Sequence, residues 1–124
     1  MFIRIYGQTT NIPMPAYVSI KEDVLRKLSE HFPEIRERFG LETIGIFGSV
    51  ANGEDTPDSD IDILYAYQEG RQGGMKEYFA VIEYLEELLG RKIDFVPIHY
   101  LQPYFRTYIE PSMILFGKIP EVAA

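Results

Sequence analysis

Gly48-Ser49-Val50-Ala51-Asn52-Gly53 and Ser59-Asp60-Ile61-Asp62-Ile63-Leu64-Tyr65 decide the reading of this chain. The run before them, Thr43-Ile44-Gly45-Ile46-Phe47, is short and β-prone, and Gly48-Ser49 ends it abruptly. A loop rich in Gly, Asp, Pro and Asn fills residues 52–59. Asp60 to Tyr65 then alternates polar and apolar before turning fully apolar, which predicts a second strand. Residues two apart on a strand point to one face, about 7 Å apart at the backbone, so Asp60 and Asp62 share a side while Ile61 and Ile63 fill the other. Two carboxylates so placed repel each other unless a cation sits between them, and hard oxygen ligands suit magnesium or manganese. The plain alternative is a pair of solvated edge positions. Gly48, at a strand end, allows a phosphate close to the backbone, and Ser49 adds a hydroxyl and an amide. A simple strand-ending turn is the other reading of Gly-Ser.

On either side of this stretch, helices and strands alternate. Ser19-Ile20-Lys21-Glu22 has the capping-box pattern. Apolar residues then recur in steps of three and four, at Ile20, Val24, Leu25, Leu28, Phe32, Ile35 and Phe39, with a kink or break expected at Pro33 and an end at Gly40. A second helix is predicted over 75–89, with Met75, Phe79, Val81, Ile82, Leu85, Leu88 and Leu89 on its apolar face and Gly90 closing it. Lys92-Ile93-Asp94-Phe95-Val96 reads as a strand stopped by Pro97, Tyr100 to Glu110 as a short helix, and Ser112 to Phe116 as a last short element. Phe2 to Tyr6 suggests a strand and Asn11 to Pro15 a loop with two prolines. The expected class is α/β or α+β: a small mixed β-sheet flanked by helices, one domain over 1–124, with 1–18 an extra strand or arm.

Composition narrows the function. The 124 residues carry a formal net charge of −7, which argues against stable DNA or RNA binding. No apolar run approaches a membrane span, no signal pattern opens the chain, and a cytoplasmic location is expected. The absence of cysteine removes disulfides, cysteine–zinc sites and thiol nucleophiles. His31 and His99 lack a companion at ligand spacing and read as surface or packing residues. Asp55 and Asp58 read as solvated turn carboxylates. Tyr100, Tyr104 and Tyr108 recur every four residues and suggest one helical face for packing or a partner.

Taken together, Gly48-Ser49, ten intervening residues and Asp60-x-Asp62 resemble the signature of the DNA polymerase beta-like nucleotidyltransferase superfamily. Gly48 to Gly53 is similar to that family's Gly-Ser-x-Ala-basic-Gly run, Ser59 to Asp62 to its Ser-Asp-x-Asp, and Lys92-Ile93-Asp94-Phe95 to the setting of its third aspartate. The short length resembles the minimal nucleotidyltransferases, many of which are antitoxins paired with HEPN ribonuclease toxins. The resemblance implies a palm-like fold and Asp60, Asp62 and Asp94 as catalytic metal ligands for Mg2+ or Mn2+. It further implies Gly48 and Ser49 on the phosphates of ATP, and transfer of AMP to a tyrosine of a HEPN-type partner. Asn52 departs from the pattern, because the family usually has Arg or Lys there; Arg91, Lys92, Arg106 and Lys76 are the cations available to compensate. Two other functions stay open: an antitoxin that covers its toxin without catalysis, and nucleotidyl transfer to a small molecule. The oligomeric state is also open.

Overall fold

A four-stranded mixed sheet, in the order β5-β4-β3-β6, carries the site. The computed structural model describes residues 2–5, 8–13 and 16–117, the first two stretches and residues 104 and 105 as backbone alone. Along the chain come β1 (Phe2–Ile5), β2 (Gln8–Pro13), α1 (Lys21–Phe39), β3 (Leu41–Phe47), α2 (Gly48–Asn52), β4 (Ile61–Tyr67), α3 (Met75–Leu89), β5 (Ile93–Pro97), α4 (Pro103–Ile109) and β6 (Ile114–Gly117). Single 3-10 turns at Ile98–Tyr100 and Glu110–Ser112 flank α4. β3 pairs antiparallel with both β4 and β6, and β4 pairs parallel with β5. A parallel pair needs a crossover, which α3 supplies.

The pleat divides the sheet into two faces. Ile44, Ile46, Ile61, Ile63, Tyr65 and Phe95 pack under α1 and α3, together with Val50 and Ala51 of α2. Phe47, Leu64 and Ala66 face the other way, where Ile98 and Ile109 cover them. Alternation places Asp62 on this second face with Leu64 and Ala66, and Asp94 with Val96. The larger core is therefore complete without the carboxylates, which stand where the cover is partial.

Several local expectations fail for identifiable reasons. α1 runs unbroken through Pro33 for 19 residues. Pro33 and Ser29, whose carbonyl loses its helical donor, are both exposed, so that carbonyl can turn to water, while the opposite stripe of Val24, Leu28 and Ile35 stays packed. The capping box does not form: Ile20 is the N-cap, without a side-chain cap. The loop expected over 11–15 is instead strand β2 up to Pro13, paired antiparallel with β1 as a separate two-stranded sheet. On α3, Val81, Leu85 and Leu89 are buried, whereas Met75 and Phe79 are exposed. Tyr100 precedes α4, and Tyr100 and Tyr108 are 78% and 82% exposed, so neither serves core packing.

Candidate active site

Register brings the predicted residues together. Phe47 is opposite Asp62 across β3–β4, and Asp62 is opposite Asp94 across β4–β5. Gly48 thus leaves β3 beside the Asp62 carboxylate. It does so with φ at +71°, and a Cβ there would lie 2.3 Å from Asp62 Oδ2. Only a residue without a side chain permits both the left-handed turn and this approach. The following residues make α2, anchored by the buried Val50 and Ala51, with the Glu54 amide donating to the Ser49 carbonyl at 2.8 Å. The turn is therefore braced by the core, and no side chain caps its first amides.

Asp60 lies just before β4, exposed, on the side that Asp62 shares by alternation. Asp62 is half-buried and Asp94 is exposed. Burial pushes the Asp62 carboxyl above its usual range, and the charges of Asp94 and then Asp60 push it further the same way. Each of the other two thus bears on the central one. Among the described residues, no Lys or Arg forms an ion pair with any of the three.

The donor set, one carboxylate from each of two adjacent strands and a third just before β4, has the oxygen chemistry that suits a hard divalent cation. Among the described residues, no three His, Cys, Asp or Glu side chains stand close enough together to hold a metal ion by themselves. That is compatible with magnesium, which is typically held by one or two carboxylates while water and substrate phosphates complete its octahedron. A cleft of about 270 Å³ opens beside Gly48 and Asn52, bounded opposite by Tyr108, Ile109, Pro111 and Ser112. A larger cavity of about 390 Å³ lies at the far end of β4, lined by Tyr65 to Gly70, Gln72, Pro97, His99 and Tyr100. None of the three aspartates lines either space; the smaller cleft is the one that includes Gly48, whose turn stands against the Asp62 carboxylate.

A second cluster ties down the loop that leads to Asp60, and no local sequence pattern points to it. Asp55 is 7% exposed, not a solvated turn residue. It accepts hydrogen bonds from the Tyr17 hydroxyl at 2.7 Å, from Ser19 Oγ, and from the Ile20 amide at 3.1 Å. Burial alone would raise its pKa, but these donors outweigh it and hold the carboxyl down at about 2. Ser19, expected to cap α1 with Glu22, instead bridges Asp55 and the Lys21 amide. Arg91, one of the cations available to offset Asn52, is instead tied to the loop: Nη1 donates to the carbonyls of Thr56 and Ser59 at 2.8 and 3.2 Å, and Nη2 to the Tyr17 hydroxyl at 2.8 Å. Arg106 pairs with Glu110 at 2.9 Å. Lys76 and Lys92 are exposed. His31 bonds the Lys27 carbonyl within its own helix, as a plain structural residue does.

The nucleotidyltransferase domain model matches residues 28–116, which hold the sheet, the glycine turn and all three aspartates. A Methanocaldococcus jannaschii protein provisionally named a protein adenylyltransferase is 38% identical over 104 residues, covering 82% of this chain and 98% of its own. Protein adenylyltransferase MntA of Thermococcus cleftensis is 43% identical over 75 residues, covering 60% of this chain and 74% of its own. Among solved structures, one described as a minimal nucleotidyltransferase superposes with a TM-score of 0.62 at 31% identity, covering 81% of this chain and 98% of that one. With the site's register and these similarities in place, the chain belongs to the nucleotidyltransferase domain family, as one of its minimal members.

Proposed function

We propose that this nucleotidyltransferase moves AMP from ATP to a hydroxyl, a tyrosine of a HEPN-type toxin, and neutralises that toxin. The observation that carries the reading is the in-register pair Asp62–Asp94, with Asp60 adding its charge, beside the side-chain-free turn at Gly48. The adenylyl group and a protein acceptor are supported by the relatives named as protein adenylyltransferases. The toxin partner rests on the resemblance to minimal antitoxins.

Asp60, Asp62 and Asp94 are the residues that hold divalent ions in this reading. Bound divalent ions supply neutralisation of the phosphate charge and a lower pKa for the attacking hydroxyl. Gly48 and Ser49 hold the terminal phosphates, Gly48 because no side chain keeps them away. Asp94, on the open side of the sheet, takes the proton of the acceptor. The hydroxyl oxygen bonds to the α-phosphorus in line, the bond to the bridging oxygen breaks, and pyrophosphate leaves.

Asn52 favours a second reading, an antitoxin that binds without transfer, because it puts a neutral side chain in the cleft where the family pattern has a cation. Incubation with labelled ATP, magnesium and the partner separates the two. Label on the partner, lost with Asp60→Asn/Asp62→Asn, supports transfer; a tight unlabelled complex supports the binding role. Full labelling by the double variant contradicts the assignment.

A further inference from the structure

Asp60 is held on both flanks by two consecutive residues of the segment that leads into β5. On one side Arg91 Nη1 grips the carbonyl of Ser59, its immediate neighbour, at 3.2 Å. On the other the Ile61 amide donates to the Lys92 carbonyl at 3.0 Å. The same segment, two residues on, delivers Asp94. Arg91 also reaches the Thr56 carbonyl at 2.8 Å, and its second terminal nitrogen reaches the Tyr17 hydroxyl, which in turn donates to Asp55 near the start of the loop. One guanidinium therefore ties the loop of Asp60 to the strand of Asp94. Its fixed fork makes three bonds that a lysine ammonium reproduces only in part. Both terminal nitrogens are committed to the protein.

We propose that Arg91, backed by Tyr17, is a positioning residue that sets the separation of Asp60 from the Asp62–Asp94 pair and so governs divalent-ion affinity without touching the nucleotide. This rests on the metal-site reading above. Groups that orient metal ligands from behind typically shift affinity while leaving the ligands themselves in place.

The test uses the full chain and three variants, Arg91→Gln, Arg91→Lys and Tyr17→Phe, each shown to fold by circular dichroism. Amide hydrogen exchange is measured without ligand, and Mn2+ binding is measured by electron paramagnetic resonance with a non-hydrolysable ATP analogue. In Arg91→Gln the amides of Ser59 and Ile61 exchange faster while those of Ile44 and Ile46 are unchanged, and Mn2+ binds about 10-fold more weakly. Tyr17→Phe moves both readouts the same way by less, and Arg91→Lys falls between Arg91→Gln and the wild type. At saturating metal the KM for ATP stays within about twofold. Unchanged exchange, unchanged Mn2+ binding beside a wild type that binds it, or a raised KM for ATP with metal affinity intact overturns the role given to Arg91. A wild type that binds no Mn2+ refutes instead the metal-site reading, and the affinity role falls with it.

Discussion

Asp62 shows how a candidate site residue works against the fold that holds it. Burial, then Asp94, then Asp60, raise its carboxyl above the ordinary 3.8. The native state therefore keeps that proton to a higher pH than the unfolded chain does, and stability falls as pH rises from 3.8 through the raised value. Asp62→Asn removes this cost: the metal-free variant melts at a higher temperature than the wild type at pH 7, as calorimetry checks, while transfer is lost. Gly48→Ala acts in the opposite sense. With φ at +71° and a Cβ at 2.3 Å from Asp62 Oδ2, it destabilises by more than about 1 kcal/mol in denaturant unfolding and displaces the carboxylate as well. Asn52→Arg returns a cation to the cleft, and a lower KM for ATP is the expected result, read from initial rates. That the aspartates and the glycine come together was legible because each sits in a short motif at a strand end, and the strand register then sets them side by side. Asp55 was not: its partners Tyr17, Ser19 and Ile20 lie 35 to 38 residues away, and no local pattern distinguishes it from Asp58.

Elements were legible where periodicity is strong and helix ends are marked. α3 was expected over Met75 to Leu89 and occupies those residues, because an apolar stripe and Gly90 mark its body and end. Strands β3, β4 and β5 fall where short apolar runs meet turn residues. α1 shows the limit, since tertiary packing of Val24, Leu28 and Ile35 carries the helix through Pro33. Its start is fixed by tertiary contacts as well. The carboxylate of Asp55 accepts the Ile20 amide, whose carbonyl accepts the amide of Val24 at 2.9 Å. Because the folded pKa of Asp55 is depressed from 3.8 to about 2, its contribution is fully present above 3.8 and is lost as pH falls to about 2. Asp55→Asn is therefore less stable than the wild type at pH 7, and the difference narrows across that acid window in chemical denaturation.

At the scale of the molecule, the fold separates stability from chemistry. The face under α1 and α3 buries most of the core, and the opposite face leaves the strand ends with Asp62 and Asp94 accessible beside Gly48. The sheet's strand order was not legible, because neither periodicity nor motif spacing says which strand lies beside which; the antiparallel β6, next to β3, is known only from the structure. No helix among the described residues is long and apolar enough to cross a membrane. Asp94 and Asp60 both push the Asp62 carboxyl upward, and this local like-charge repulsion is what a bound cation relieves in the proposed function. Titration of the wild type and of Asp62→Asn/Asp94→Asn with Mn2+, at fixed non-hydrolysable ATP analogue, tests this most directly. Saturable Mn2+ binding by the wild type that disappears in the double variant is the predicted result; equal binding by both proteins, or none by the wild type, contradicts it.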